Sequence, residues 1–386
     1  MASDQSPIIF DERAAGGGKR VAFVCLNAEK TLNSLSKAMI DALQPKFDEW
    51  AHRDDIACVV LHGAGDKAFC AGGDVIGLYQ AMKAADGAPS ATAEGFFAAE
   101  YRLDHTIHRF PKPVLCWGHG IVMGGGLGLM AGASHRVVTP TSRIAMPEVT
   151  IGLFPDVGAS WFLGRMPAGI GRFIGLTTTP LRAADALWLN MGDYLLEAGD
   201  REAVFDTLLD IDWAGQRSLD DARLAERLHA FESPAAAHAA VSESALFARR
   251  SAVARIAAAA DTQTFIERLV AAADADDFFA HGARAVAGAS PLSLAVVHQQ
   301  LARDPKASIE QVLRTDYAMA VACTRRPDLA EGIRALLVDK DKSPAWTPAT
   351  LADVDPCAVA AHFKLPDDYQ GRHPLADLTS EPGEPV

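Results

Sequence analysis

No Cys-x-x-Cys pair occurs in this chain, and its six cysteines stand apart at 25, 58, 70, 116, 323 and 357. A chain of 386 residues can bury a sizeable core without a disulfide framework, so reduced thiols in a reducing compartment are expected. Positive charge is also short: 36 Lys and Arg stand against 49 Asp and Glu, a net of −13. That balance argues against broad electrostatic binding to nucleic acid, and no nucleic-acid partner is expected. The residues from Met1 to Arg20 include Asp4, Asp11 and Glu12 and no apolar core, unlike a secretory signal or transit peptide, so the expected location is cytoplasmic. One stretch, Pro113 to Ser134, has no Asp, Glu, Lys or Arg, but its seven glycines and His119 suit a buried strand, turn and helix. No membrane partner is expected.

Several chemical signatures are missing too. Gly124 to Gly128 does not make Gly-x-Gly-x-x-Gly, and no Gly-Lys-Ser/Thr follows a glycine loop. There is no His-Glu-x-x-His and no Cys/His cluster, so no metal is expected; His105, His108, His119 and His135 have no ligand spacing. A Gly-x-Ser-x-Gly elbow is lacking, which leaves a serine hydrolase without a nucleophile.

What is present is the composition of a folded enzyme, 49% apolar and 22% charged. Val21 to Leu26 and Ile56 to Leu61 read as buried strands. Between them Leu35, Met39, Leu43, Phe47 and Trp50 form the stripe of an amphipathic helix that Pro45 is expected to kink or divide. Asp74 to Lys83 and Ala93 to Arg109 read as helices, and Pro113 to Trp117 as a strand. This alternation predicts an α/β core over 20–205, after an N-terminal segment at 1–19. Ala-rich helical stretches follow at Leu219 to Arg249, Ser251 to Ala273 and Ser290 to Arg303, with Ala335 to Val338 the one later strand candidate. The expectation is a mostly helical C-terminal extension over 206–368 and a loose tail at 369–386.

Three segments carry the chemistry. Phe69-Cys70-Ala71-Gly72-Gly73-Asp74 and Gly120-Ile121-Val122-Met123-Gly124-Gly125-Gly126-Leu127-Gly128 each lie between a strand and a helix. Backbone N–H groups from two such turns, if they converge, can stabilise charge on a carbonyl oxygen. Taken singly, each turn reads first as a tight bend that packs a helix. The third segment, Ala145 to Gly158, sets Glu148 and Asp156 in apolar surroundings, each directly after a proline. Such burial raises a carboxyl pKa toward neutrality, which suits proton transfer, although Asp156 could equally cap a helix over Val157 to Leu163. Cys70 reads as a small packed side chain, His119 as locally bonded and Trp346 as a structural anchor.

Together with Leu26-Asn27 and Leu32-Asn33-Ser34-Leu35, these segments resemble the crotonase (enoyl-CoA hydratase/isomerase) superfamily over residues 20–200. The resemblance implies a fold of ββα units, an acyl-CoA substrate, a trimer or hexamer, and Gly73 and Gly125 as the N–H donors to the thioester carbonyl. CoA is then part of the substrate, and no separate cofactor is implied. Within the superfamily, His119, the run from Ala145 to Gly158, and Glu331-Gly332-Ile333-Arg334-Ala335 with Asp339-Lys340-Asp341, Pro344, Trp346 and Pro348 resemble the 3-hydroxyisobutyryl-CoA hydrolase branch. That likeness implies hydrolysis of a short 3-hydroxyacyl-CoA in valine breakdown. Glu100, Gly125, Glu148 and Asp156 would surround the acyl group, and Glu148 and Asp156 would act with Gly73 and Gly125. Glu100 rests on the resemblance alone, since an exposed helix glutamate is the ordinary reading. One departure bears on the reaction: hydratases of the superfamily carry a second glutamate two residues after the triple glycine, where this chain has Gly128. An enoyl-CoA hydratase or isomerase, and a non-catalytic acyl-CoA-binding protein, are the competing readings.

Overall fold

The computed structural model describes residues 6–233, 241–303 and 306–379. Residues 1–5, part of the expected 219–249 helix (234–240), and the end of the expected tail from 380 lie outside the described residues. The chain forms two compact units, one from Met1–Gly73, Leu103–Ile144 and Leu181–Ala248, the other from Asp74–Arg102, Ala145–Pro180 and Arg249–Val386. The chain thus leaves and re-enters each unit, and packing does not follow the expected division at residue 205.

The first unit is built on strands. One sheet has the order β1-β2-β3-β5-β7-β10, with β1 Ile8–Ala14, β2 Arg20–Leu26, β3 Ile56–Gly63, β5 Val114–Gly118, β7 His135–Val138 and β10 Tyr194–Leu195. The other has the order β4-β6-β8-β9, with β4 Ala68–Cys70, β6 Ile121–Met123, β8 Arg143–Ala145 and β9 Leu181–Arg182. Consecutive strands β3 and β4, β5 and β6, and β7 and β8 go one to each sheet. Helix α4 (Gly125–Gly132) follows β6 in this unit, an expected ββα succession, while α2 (Val75–Ala84), which follows β4 in the chain, belongs to the second unit. Buried Val60, Leu115, Trp117, Val137, Phe205 and Trp213 share one apolar core. The near-continuous apolar runs of β3 and β5 are those of strands covered on both faces.

Two local expectations change here. The N-terminal segment holds β1, antiparallel to β2 in unbroken register from Ile8 opposite Leu26 to Ala14 opposite Arg20. Asp11, Glu12 and Arg13 hid it: on this edge strand Asp11 is exposed, Glu12 accepts from Trp50 and Arg53 at 2.9 Å, and Arg13 lies over the Phe23 ring. Pro45 does not divide the first helix: α1 runs unbroken over Lys37–His52, with Met39, Ile40, Leu43, Phe47 and Trp50 buried. Burial of that stripe outweighs the hydrogen bond lost at proline.

The second unit is mainly helical. Helices Arg250–Ala257, Ala280–Gly288 and Pro291–Gln300 pack on helix Ile170–Thr177. The expected 251–273 helix is broken at Asp261, whose carboxylate caps the next helix by accepting the Thr264 N–H at 2.7 Å. Ala335 to Val338 lies in a π-helical turn over Arg334–Val338, not a strand. The described part of the expected loose tail is docked: Leu375 and Leu378 are buried, and Asp377 pairs with Arg102 at 2.7 Å.

Candidate active site

Strands β4 and β6 are parallel neighbours, with Cys70 opposite Val122, so both chains leave the sheet at the same end. The two glycine turns therefore emerge side by side in the first unit. A Cβ on Gly72 would stand 3.3 Å from the Met123 carbonyl oxygen, and Gly72 has φ +111°, so only glycine fits without strain. Gly126 lies against β4 so closely that an added Cβ would be 2.6 Å from Cys70 Cβ. Gly125 opens α4, where an N–H has no partner inside the helix. Among the described residues neither the Gly73 nor the Gly125 N–H is donated to another group.

The signature segment at 32–35 has a physical role here. The Leu35 N–H donates to Gly72 O at 2.8 Å, and the Ala71 N–H to Leu32 O at 3.0 Å. Buried Asn33 donates to the carbonyls of Ala64 and Ala68 at 3.0 and 2.9 Å. The first amide turn is thus pinned from the side. Cys70 is buried with its Sγ 3.7 Å from the Gly72 carbonyl, and His119 Nε2 lies 2.9 Å from the Gly65 carbonyl, so both are packed as expected.

Glu100, Glu148 and Asp156 all belong to the second unit, and all three are buried. Glu100 is therefore not the exposed residue that its place in a helix suggests. Glu148 begins a 3-10 turn, Glu148–Ile151, and its Oε2 has no hydrogen-bond partner among the described residues. Gly332 packs against this turn, since a Cβ there would meet the Ile151 carbonyl at 2.5 Å. The Glu331-Gly332 motif and the Glu148 segment are far apart in sequence and meet backbone to backbone.

Asp156 does not cap a helix with its side chain. The following helix, Ala159–Gly164, has Gly158 as its N-cap, and Asp156 Oδ2 accepts the Tyr101 hydroxyl at 2.7 Å. Tyr101 belongs to α3 (Ala91–His108) and is fully buried. Sequence reasoning passed over it because an aromatic beside an apolar helix face reads as core.

Burial sets the proton affinities. It pushes Glu148 well above the usual carboxylate range, and the nearby Asp156 charge pushes the same way. Burial also raises Asp156, to about 6, against the Tyr101 hydroxyl, which favours the ionised form. Both carboxyls therefore hold their protons to higher pH than exposed carboxyls do. Two adjacent acidic groups with raised proton affinities are suited to proton transfer near neutrality. Among the described residues no group of three His, Cys, Asp or Glu is arranged to hold a metal.

Strands shared between two sheets, with helices following them in the chain, define an α/β enzyme fold. The chain belongs to the enoyl-CoA hydratase/isomerase family, whose model matches residues 21–363. It is 32% identical over 363 residues to the mitochondrial 3-hydroxyisobutyryl-CoA hydrolase of Danio rerio, covering 94% of this chain and 91% of that one. The Homo sapiens protein of the same name is 32% identical over 341 residues, 88% of this chain and 85% of its own length. Among solved structures, a carnitinyl-CoA dehydratase from Mycobacterium thermoresistibile is similar with a TM-score of 0.80 and 33% identity, over 93% of this chain and 97% of that one. An enoyl-CoA hydratase from Rhodobacter sphaeroides gives 0.79 and 30%, over 93% and 98%. Among the described residues no helix is long and apolar enough to cross a membrane.

Proposed function

We propose that the protein hydrolyses 3-hydroxyisobutyryl-CoA to 3-hydroxyisobutyrate and CoA. The observation that carries this reading is near-full-length similarity to proteins named for that reaction, in a chain with Glu148 and Asp156 buried as a pair. Gly128 supports it: two-glutamate hydration needs a second proton-transferring side chain at that position, and glycine has none.

In this reading the Gly73 and Gly125 N–H groups hold the oxyanion formed when the thioester carbonyl is attacked. The acid pair activates water at one carboxylate and delivers a proton from the other carboxyl to the departing thiolate. Glu100 binds the 3-hydroxyl. Direct attack by Glu148, giving an acyl-anhydride, is the alternative route to the same products. The enzyme then belongs to valine breakdown. The cytoplasmic expectation is tested by fractionating the source cell.

The defining test is a thiol-trapping assay over short acyl-CoAs with and without a 3-hydroxyl. Fastest thiol release from 3-hydroxyisobutyryl-CoA is expected. Loss of the enoyl thioester absorbance of an unsaturated acyl-CoA, with no thiol freed, would favour a hydratase instead.

The acid limb of the pH–kcat profile should follow Asp156, with activity rising as pH passes its pKa of about 6. Tyr101→Phe removes a donor that favours the ionised form, so the Asp156 pKa rises. The limb should then move to higher pH by about one unit, the size expected for a hydrogen bond to a charged group. An unmoved limb would detach Asp156 from the rate.

A further inference from the structure

We propose that Asp316 is the positioning residue of Asp156: by accepting the Gly158 N–H, it holds a strained turn in the shape that keeps Asp156 on the Tyr101 hydroxyl. The strain is local and specific. Val157, next to Asp156, has φ +52°, a left-handed conformation that β-branched residues rarely adopt, and Gly158 follows at φ +83°. Such a pair relaxes unless neighbouring groups hold it.

Three side chains from three helices do so. Asp316 Oδ2, on helix Ile309–Thr324, accepts the Gly158 N–H at 2.9 Å. Gln300, at the end of helix Pro291–Gln300, donates to the Pro155 carbonyl at 2.7 Å. Tyr101 then holds the Asp156 carboxylate itself. The main chain is therefore fixed on both sides of Asp156. The Asp316 helix also presses on the turn from below, since a Cβ on Gly158 would stand 2.9 Å from Ile309 Cδ1 and 3.8 Å from Leu313 Cδ2. Ile309, Leu313 and Asp316 are spaced by four and three, one face of that helix.

Packing alone does not account for a carboxyl at this place. Asp316 is completely buried, and the groups that favour its ionised form are neutral ones, the Gly158 N–H and the Gln300 side chain. An apolar side chain would fill the same face without desolvating an acid. Burial raises the proton affinity of Asp316, against the Gly158 N–H that favours the ionised form. An asparagine accepts the same N–H and so keeps the contact to Gly158 without a titrating group. The other titratable groups around Asp156 are Tyr101, Glu148 and Cys323, and Glu100 acts on Tyr101.

The proposal rests on the reading that Asp156 takes part in hydrolysis. Its test is kcat, KM and the pH profile of thiol release for wild type, Tyr101→Phe, Asp316→Asn, Asp316→Ala and the Asp316→Ala/Tyr101→Phe double variant. Asp316→Asn should stay within about threefold of wild type, with its acid limb unmoved. Asp316→Ala should lose about tenfold or more in kcat with KM within about threefold, and its limb should move upward as in Tyr101→Phe. In the double variant Asp316→Ala should add no further shift, because both changes act on one contact. Asp316→Leu replaces the alanine variant if that does not fold. The proposal is overturned if the limb stays in place in the alanine or leucine variant, if the shifts add in full, or if Asp316→Asn is as damaged as the others. Failure of the underlying reading looks different: Asp156→Asn would then release thiol at the wild-type rate, whatever Asp316 does.

Discussion

Glu148→Gln should lower thiol release from 3-hydroxyisobutyryl-CoA by about 10²- to 10⁴-fold, the range associated with a positioned acid or base. Glutamine keeps the shape of the side chain but neither takes nor gives a proton under these conditions. Glu148 is buried with Oε2 unpartnered among the described residues, so no structural hydrogen bond at that atom is lost. The variant should therefore keep its circular dichroism and its affinity for the acyl-CoA while turnover collapses. Because burial already favours the protonated form of Glu148, an uncharged replacement should not destabilise the fold. Turnover at the wild-type rate would remove Glu148 from the mechanism.

The second large effect is expected at a residue with no side chain. Gly126→Ala places a Cβ 2.6 Å from Cys70 Cβ and within overlap of the Cys70 carbonyl, both on strand β4. Neither is the free end of a flexible chain, so α4 must move away from β4, taking the Gly125 N–H with it. Losing one oxyanion donor costs about 10²- to 10³-fold in kcat in comparable sites, and a fall of that order is expected. Overpacking should also lower stability by about 1–3 kcal/mol. Gly95→Ala is the control: it lies in α3, and nothing stands within 4 Å of the added Cβ. That variant should gain up to about 1 kcal/mol of stability from helix propensity with unchanged turnover. Equal turnover in the Gly126 and Gly95 variants would show that the amide geometry does not set the rate.

Glycine patterns and proline-flanked acids made much of this site legible from sequence. Gly72 and Gly126 stand where backbone must approach backbone, and that need is written in residue type. Parallel pairing of β4 and β6 then places the turns together, which local spacing alone does not encode. Glu148 and Asp156 stood out because carboxyls are rare in so apolar a run. Tyr101, Gln300 and Asp316 did not, since each is ordinary in its own helix and gains its role only from a turn far away in the chain. Asp316 left one faint trace, an acid in register with Ile309 and Leu313 on a buried helix face. Strand β1 was hidden by its charges, and α1 runs through Pro45 because its packing outweighs one lost hydrogen bond.

The most direct measurement is mass analysis of the products formed from 3-hydroxyisobutyryl-CoA in ¹⁸O-labelled water. Free CoA thiol with labelled 3-hydroxyisobutyrate is the expected result, since water oxygen ends in the carboxylate when the C–S bond breaks. An intact thioester that has lost water to give the unsaturated acyl-CoA would contradict it.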